Sequence, residues 1–552
     1  MPYENDEEPL RVLSFSQTDA VFFVAAFIFI YCQLFQLPFT PIYFEGDHLI
    51  SVSNAMRILD GEVMYRDFFH LTPPGAEVVY ATLFSIFGVK IWILNLIILL
   101  LGLAQVWLLW FFSRHTLSGI FVYLPAAIFL VVGFRQYGID GSYRLFSIVC
   151  VLLAVAALFK KRSSQNLIIA GSLCGLASFF VQTRGVVVIA GIALFLLWEN
   201  YRRGFDLMVL VKNGLQLTVP FFLVVALTQS YFVWQAGFDN YYFALVEFLH
   251  RHYPNDPLAK TSAYFFSDLP DFQGLLNDHS TTAGAASRYL RVAAPVLFHY
   301  LLIPFVYIVF LIYRRRQQTS RSIKEIDTKL MLLCMVGLTL VAGLSAPSAG
   351  RLNHIAIPGL IILVWLFKQV SHSNRIAKVA LLFLCIVGIS YVVQRQTVEK
   401  KYLDMPAGRS AFLSPKAFDR YNWIGENTQE GDFFYEAQHP SFYFPFHLKN
   451  PTPMSLIRDS EYTPRFQVDS VVASLEREPP NLIVWDGNWS KAAELRVAGD
   501  NLEPLWQFIV TNYDLAMEYP LPGDYTLSSA RDIEIWRRKS PGNGRKDLME
   551  IR

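Results

Sequence analysis

The sequence has few charged residues for its length. Asp, Glu, Lys and Arg make up 17% of its 552 residues and hydrophobic residues make up 53%, whereas soluble domains contain about 25% charged residues. The deficit is confined to the region between Ala20 and Val393, and the tail after Gln394 has the composition of an ordinary soluble protein. These features exclude a wholly soluble chain and predict a polytopic α-helical membrane protein with a soluble C-terminal domain.

Cysteine is also scarce, and its positions exclude a disulfide framework outside the membrane. All five lie inside apolar segments: Cys32, Cys150, Cys174, Cys334 and Cys385. None lies in the tail or in the hydrophilic loop 232–290, and no CxxC pair suggests a metal site. Because disulfides are common in secreted proteins of oxidising compartments, this absence favours a bacterial inner membrane over the eukaryotic secretory pathway.

The sequence lacks a concentrated basic patch, an internal repeat and a cleavable signal. The net charge is +2 and the basic residues lie in short clusters between apolar runs, which argues against nucleic acid as a partner. The acidic N-terminus is followed by an apolar run without a small-residue cleavage site, so we expect that run to remain as the first span. The sequence contains no repeated block of the kind that would indicate a solenoid or a duplicated transporter half.

Apolar windows predict about eleven membrane spans, since a span needs roughly 20 apolar residues. The stretch 75–87 is too short to cross, and we expect it to lie in the membrane interface. The predicted spans are 19–37, 91–112, 118–134, 143–159, 165–181, 185–198, 213–231, 292–313, 328–346, 353–369 and 376–394.

Short basic clusters predict the orientation, because Lys and Arg concentrate in cytoplasmic loops. With the N-terminus inside, eleven spans place every dense cluster in the cytoplasm: residues 160–162, 202–203, 314–316 with Arg321 and Lys324, and Lys368 with Arg375 and Lys378. The predicted organisation is a cytoplasmic N-terminus at 1–18, a transmembrane domain at 19–394 with outer loops 38–90 and 232–290, and a periplasmic α/β domain at 395–552.

The tail alternates two kinds of pattern. Residues 431–437 and 481–487 have the composition of strands, and 468–478 and 502–513 have the periodicity of amphipathic helices. This alternation predicts a small α/β domain of about 150 residues.

Ionisable residues recur at the predicted outer ends of the spans. Charged groups at membrane depth are costly and usually mark a functional site, so we predict that these residues share one pocket at the outer interface. The candidates are Glu45, Asp47, Asp67 and His70 in the first outer loop, Arg135 and Arg144 in the second, Arg184 in the third, and Arg351 and His354 in the last.

These residue types suit transfer from a phosphate-linked donor. Arginine binds phosphate oxygens bidentately and stays charged, and a carboxylate can take a proton from an acceptor hydroxyl. The arginines could neutralise the phosphate without a metal, so we predict no metal and no cofactor. Two structural alternatives stay open: each Arg could be a snorkelling anchor, and Glu45 and Asp47 could cap the helix that starts near Leu49.

The first outer loop carries a recognisable pattern, EGDHLISVSNAMRILDGEVMYRDFFHLTPPGAEVVYATLFSIFG. It resembles the first extracytoplasmic loop of the GT-C superfamily of membrane glycosyltransferases, in particular the protein O-mannosyltransferase and aminoarabinose-transferase families. His48 replaces the second acid of the usual Asp-Glu pair, and Glu45 lies on the other side of Gly46. The matching positions are Asp47, Ala55, Gly61, Tyr65, Asp67, Phe68, Pro73, Pro74, Phe87 and Gly88.

The resemblance implies a GT-C-like fold and an inverting glycosyl transfer with Asp47 as the base, Glu45 sharing part of the missing acid's role. It implies a polyprenyl-phosphate sugar as the lipid donor, bound through Arg135, Arg144, Arg184 and Arg351. The acceptor and the sugar stay open. A transporter or flippase for a lipid-linked sugar, or a polymer-ligase component, is the alternative; transporters usually show repeated halves and midplane charges, neither of which this sequence has.

Overall fold

The computed structural model is mainly helical. It describes residues 15–255, 269, 282–317, 325–344, 347–370, 374–437, 439–458, 460–487, 489, 500–519 and 533–539. The predicted N-terminus 1–18, the outer loop 232–290 and the tail therefore lie partly outside the described residues, and Arg321 and Lys324 lie wholly outside them.

The N-terminal half contains eleven α-helices within the range 15–255. They are α1 (Gln17–Leu34), α2 (His48–Leu59), α3 (Gly75–Phe87), α4 (Ile91–Thr116), α5 (Leu124–Ile128), α6 (Tyr143–Lys160), α7 (Ser164–Phe180), α8 (Gln182–Arg202), α9 (Leu207–Ala236), α10 (Phe238–Tyr242) and α11 (Phe248–Arg251). A π-helical stretch, Phe129–Gly138, continues α5.

The described part of the second half adds ten more helices. They are α12 (Thr282–Leu297), α13 (Ile303–Gln317), α14 (Glu325–Ala342), α15 (Ala349–Ile355), α16 (Ile357–Val370), α17 (Asn374–Thr397), α18 (Pro415–Asn427), α19 (Tyr443–Phe446), α20 (Arg465–Arg477) and α21 (Glu503–Asn512).

Among the described residues, seven helices are long and apolar enough to cross a membrane, or eight if α15 and α16, which meet at 72°, form one broken span. The predicted spans at 118–134, 165–181 and 328–346 fall on shorter or more charged helices. The count of eleven is therefore not confirmed. The seven are Gln17–Leu34, Ile91–Thr116, Tyr143–Lys160, Gln182–Arg202, Leu207–Ala236, Ala293–Arg316 and Asn374–Thr397.

Glycine allows α7 to approach α9 closely. A Cβ atom built on Gly171 would lie 2.1 Å from the backbone oxygen of Leu217, which is far inside van der Waals contact. Lipid tails supply no hydrophobic driving force between membrane helices, so helices associate through close packing. Small residues at a crossing allow the two backbones to approach that closely.

We therefore expect Gly171→Ala to lower the apparent Tm of the detergent-purified protein. Overpacking costs about 1–3 kcal/mol, and a backbone oxygen cannot rotate away as a side chain can. This cost should outweigh the gain of about 1 kcal/mol that Ala brings to a helix interior.

The matched control is Gly214→Ala on α9. A Cβ atom there would meet nothing within 4 Å, so the helix-propensity gain should stand alone and leave the Tm equal or higher. Equal Tm values for the two variants would contradict the close crossing.

A four-stranded sheet forms the centre of the tail's described residues, with its strands in the order Phe434–Glu436, Leu482–Asp486, Ile533–Arg538 and Tyr513–Tyr519. Strand β5 (Phe434–Glu436) is parallel to β6 (Leu482–Asp486), while β8 (Ile533–Arg538) is antiparallel to β6 and to β7 (Tyr513–Tyr519). The two strands and two helices predicted in the tail are present as β5, β6, α20 and α21. Trp485 packs against Trp506 at 5.6 Å between ring centroids.

Two short strand pairs lie where the first outer loop meets the tail. Strands β1 (Phe35–Gln36) and β2 (Thr40–Pro41) form one, and β3 (Lys401–Leu403) and β4 (Ser410–Phe412) form the other. The backbone nitrogen of Tyr43 donates to Ala411 at 2.9 Å.

The tail is also hydrogen-bonded to the loop along α2. Arg57 donates to the backbone oxygen of Thr452 at 2.9 Å, and Ser53 donates to that of Pro440 at 3.4 Å. The tail thus covers the helix that begins at the predicted catalytic aspartate.

Candidate functional site

Asp47 immediately precedes α2, but its side chain makes no capping hydrogen bond. Its Oδ2 instead lies 2.6 Å from Nη1 of Arg144 on α6. The structural alternative, that Asp47 caps the helix, is therefore wrong. The carboxylate is 45% exposed, so it is held in place by an ion pair and still open to a substrate.

Arg144 joins two carboxylates that are far apart in the sequence. Besides Asp47 it approaches Asp140, with Nη1 3.7 Å from Oδ2. Asp140 also faces two histidines, His48 at 3.5 Å and His354 at 3.8 Å. The result is one compact cluster of acidic and basic side chains from three segments of the chain.

The electrostatics of the cluster keep both acids ionised. Burial would raise the pKa of Asp47, but the charge of Arg144 lowers it below its ordinary value despite the repulsion of Asp140. Burial acts likewise on Asp140, and its contact with His48 and the charge of Arg144 hold its pKa well below its usual range. An ionised carboxylate is the form that accepts a proton.

Arg184 and Arg351, both predicted to bind phosphate, approach the same cluster. Arg184 is buried and its Nη1 donates to the backbone oxygen of Arg144 at 2.7 Å. Nη2 of Arg351 lies 3.4 Å from the hydroxyl of Tyr253, and both residues interact electrostatically with Tyr143, next to Arg144. Arg144, Arg184, Arg351 and His354 thus lie in or beside the cluster around Asp47, and their substrate-binding roles stay predictions.

The structure places three other predicted residues in separate contacts. Arg135 stacks on the ring of Tyr391 at 5.1 Å. Asp67 accepts from Arg66 and from the backbone nitrogen of Val63 at 2.7 Å.

His70 also lies in contacts of its own. It is buried between Glu77, at 3.2 Å, and Thr72, at 2.5 Å. Within the described residues, Arg135, Asp67 and His70 make no direct contact with the cluster around Asp47, and their substrate-binding roles stay predictions.

The tail contributes two groups that the sequence analysis missed. Arg420 on α18 forms an ion pair with Glu45 and lies over the rings of Tyr421 and Phe442. Burial would raise the pKa of Glu45, but Arg420 lowers it below its ordinary value.

His439 is the second of these groups, and it interacts electrostatically with both Glu45 and Asp47. No motif connects positions 420 and 439 to the first loop, so only the docking of the tail identifies them.

Glu436 holds the segment that carries His439. Its buried carboxyl group accepts hydrogen bonds from the backbone nitrogens of Ser441, at 2.7 Å, and Phe442, at 3.1 Å. Burial raises the pKa of Glu436 to about 8 in spite of these donors. The carboxyl group therefore serves as an anchor of the tail's fold.

A cleft of about 820 Å³ lies at the other end of α2, between the helix and the tail. Its lining includes Ser53, Arg57, Tyr443 and Arg477, and does not include Asp47. In the described part of the chain, no group of three His, Cys, Asp or Glu residues is arranged to hold a metal ion.

Residues 72–232 match the model of the dolichyl-phosphate-mannose-protein mannosyltransferase family. The matched segment includes Arg135, Arg144 and Arg184, and it begins after Asp47. No match is found among curated protein sequences.

Solved structures of two other proteins are similar at low identity. An oligosaccharyltransferase from Archaeoglobus fulgidus, in complex with Zn and sulfate, is 13% identical with a TM-score of 0.49, over 91% of this chain and 72% of that one. ArnT from Cupriavidus metallidurans, bound to undecaprenyl phosphate, is 13% identical with a TM-score of 0.47, over 94% and 96%.

The family match covers the helices that supply Arg144 and Arg184. The chain is therefore similar, through residues 72–232, to the dolichyl-phosphate-mannose-protein mannosyltransferase family, which confirms the predicted resemblance to GT-C membrane glycosyltransferases; the match does not cover the first outer loop before residue 72.

Proposed function

We propose that this protein is an inverting glycosyltransferase that moves a sugar from a polyprenyl-phosphate donor to an acceptor on the outer face of the membrane, with Asp47 as the base. The observation that carries the proposal is the ion pair between Asp47 and Arg144, beside Arg184 and within reach of the predicted outer surface. A carboxylate and guanidinium groups meet there although they come from different segments of the chain.

The proposed reaction is a single displacement. The acceptor oxygen loses its proton to Asp47 and forms a bond to the anomeric carbon, while the bond from that carbon to the phosphate oxygen breaks. The electron pair of the broken bond leaves with the phosphate, whose growing charge the arginines stabilise. Attack from the side opposite the leaving group inverts the anomeric centre.

We assign the donor phosphate to Arg144, Arg184, Arg351 and Arg135, with His354, His70 and Asp67 as further substrate contacts and Glu45 as a second acid beside Asp47. The family match over residues 72–232 supports a phosphate-linked lipid as the donor. The proposed setting is a bacterial inner membrane crossed about eleven times, with residues 395–552 outside.

The test uses the detergent-purified protein, a polyprenyl-phosphate sugar and a cell-envelope extract as the acceptor mixture. We expect release of polyprenyl phosphate at the same rate as sugar enters the extract, and no loss of rate in EDTA. A transporter would instead move the intact lipid between the leaflets of proteoliposomes and release no polyprenyl phosphate. That result would overturn the proposed function.

A further inference from the structure

Arg135 and Arg395 lie near each other, outside the cluster around Asp47. Arg135 is in the last turn of the π-helical stretch and Arg395 is in the last turn of α17. The Cζ atom of Arg135 lies 5.1 Å from the centre of the Tyr391 ring. Tyr391 and Arg395 are four positions apart on α17, so they share one face of the helix, with Cβ atoms about 5–6 Å apart. A helical side chain also leans towards the turn before its own, which brings Arg395 towards Tyr391 and Arg135.

The side chain of Arg395 is held against the protein, whereas a snorkelling arginine extends into water. Its Nε donates to the backbone oxygen of Gln33, near the end of α1, at 3.1 Å. Its Cζ lies 5.0 Å from the centre of the Phe44 ring in the first outer loop. The guanidinium group of Arg395 is therefore fixed between α17, α1 and that loop. Arg135 is half-buried, and its Nε is buried without a hydrogen-bond partner.

The two guanidinium groups have no counter-charge in the protein. In the part of the chain that the structure describes, neither Arg135 nor Arg395 forms an ion pair with a carboxylate, and Gln33 is the only hydrogen-bond acceptor of either side chain. Arg144, by contrast, faces two carboxylates. Buried charges are normally paired, and a guanidinium group binds phosphate oxygens with two parallel hydrogen bonds. The pair therefore has the charge and the unused donors to hold a phosphate group.

The position of the pair favours a phosphate that is carried by a lipid. Only 11% of the α17 span is buried, so a hydrocarbon chain can lie along this helix. The pair also adjoins the cluster through the first outer loop. The backbone oxygen of Phe44 lies 3.1 Å from Nε2 of His48, and Nδ1 of His48 lies 3.5 Å from Asp140. A head group at the pair is thus next to the cluster, with its chain on the lipid side.

We propose that Arg135 and Arg395 form a phosphate site for the head group of a membrane lipid, beside the cluster around Asp47 and separate from it. The two guanidinium groups bind the phosphate oxygens from two helices, and the hydrocarbon chain lies along α17. This inference rests on the proposed function in one respect, because the polyprenyl-phosphate donor is one lipid with this head-group chemistry. A bulk phospholipid is the other.

The experiment measures lipid binding by the detergent-purified protein, from the rise in Tm with lipid concentration. The lipids are polyprenyl phosphate, phosphatidylglycerol and the uncharged polyprenol. In Arg135→Gln and in Arg395→Gln we expect the Kd of a phosphate lipid to rise about 10-fold, the effect of losing one hydrogen bond to a charged group. The Kd of polyprenol should be unchanged. Inorganic phosphate should produce no rise in Tm at the lipid's concentration, since it has no chain to lie along α17.

The two phosphate lipids identify the source of the head group. A loss confined to polyprenyl phosphate, with a higher KM for the donor and an unchanged kcat, supports the inference and deepens the proposed function. A loss confined to phosphatidylglycerol supports a site for bulk lipid. Arg135→Lys keeps the charge and loses the fork of the guanidinium group, so it should weaken binding less than Arg135→Gln.

The matched control is Arg251→Gln, an exposed arginine of α11 that already has an ion pair with Glu247. It should leave the Kd of every lipid unchanged. Arg395→Gln also loses the bond to Gln33, so the Tm of its lipid-free form should fall. Arg135→Gln breaks no hydrogen bond within the protein and should keep the wild-type Tm, which makes it the variant that tests binding without a change in the fold.

Three results would overturn the inference. They are an unchanged Kd for both phosphate lipids in the folded Arg135→Gln protein, an equal rise in the Kd of polyprenol, and a rise in Tm with inorganic phosphate as large as that with the lipids. Each would leave the proposed function standing, because sugar transfer and the Asp47→Asn variant test that function. Conversely, lipid binding can be measured in a protein that transfers no sugar, so failure of the proposed function leaves this experiment decisive.

Discussion

Asp47→Asn should reduce sugar transfer by about 10²–10⁴-fold, the usual contribution of a general base. The amide has the shape of the carboxylate and can still accept a hydrogen bond from Arg144, but it cannot hold a proton. Release of polyprenyl phosphate by the purified variant measures the loss. Donor binding, followed as the rise in Tm on adding polyprenyl phosphate, should be kept, because Arg144, Arg184 and Arg351 remain.

The matched control is Asp239→Asn, the same change at an exposed carboxylate of α10, which should keep the wild-type rate. Glu45→Gln provides the sharper comparison. Glu45 forms an ion pair with Arg420, so its amide variant should weaken the docking of the tail and lower the rate less than Asp47→Asn. If Glu45→Gln abolishes transfer and Asp47→Asn does not, the base is Glu45 and our assignment is wrong.

The convergence of Arg144 and Arg184 with Asp47 was predictable because membrane helices limit the geometry. A residue at the outer end of one span lies at the same depth as residues at the outer ends of the others. Asp47 and Arg144 are 97 residues apart, yet the assigned spans place both in the same thin layer at the outer interface. The same reasoning fails for Arg135, since depth does not fix on which side of a helix bundle a side chain lies.

The contributions of the tail were not predictable from the sequence. Arg420 reaches Glu45 across 375 positions, and the contact depends on how a soluble segment docks rather than on membrane depth. Strands β5 and β6 were predicted from their apolar runs, because a buried strand requires them. The docking, by contrast, depends on single hydrogen bonds such as those of Tyr43 and Ser53, which leave no pattern in the sequence.

Helix length and charge explain why the described residues contain seven or eight candidate spans whereas the sequence predicts eleven. A window of hydropathy does not distinguish a crossing helix from a short apolar helix buried among others, such as α7 with its 17 residues. Helix α14 begins with Glu325 and Asp327 in its first turn and contains Lys329. These three charges make it less apolar than the candidate spans, although most of its residues are buried. The prediction of eleven spans thus rests on short helices that tertiary packing stabilises.

Arg144→Gln should have an effect on transfer as large as that of Asp47→Asn, for an electrostatic reason. Without the guanidinium, Asp47 loses the strongest interaction that lowers its pKa, while its burial and the repulsion of Asp140 still raise that pKa. Asp47 would then be protonated more often than in the wild type, and the donor phosphate would lose a cation. We expect a loss of 10²-fold or more at pH 7, with partial recovery as the pH rises and Asp47 ionises again.

Arg144→Lys is the matched comparison because it keeps the charge and loses the forked geometry of the guanidinium. It should restore ionisation of Asp47 and the wild-type pH profile, but recover only part of the rate. The stability loss in Arg144→Gln should be smaller than the 3–5 kcal/mol seen when a fully buried ion pair is broken, since Asp47 is 45% exposed and water can solvate it. If the Arg144→Gln protein is unfolded wherever it is inactive, Arg144 supports only the fold. If the protein is folded and its transfer rate recovers at high pH, the charge of Arg144 is what keeps Asp47 ionised and able to accept a proton.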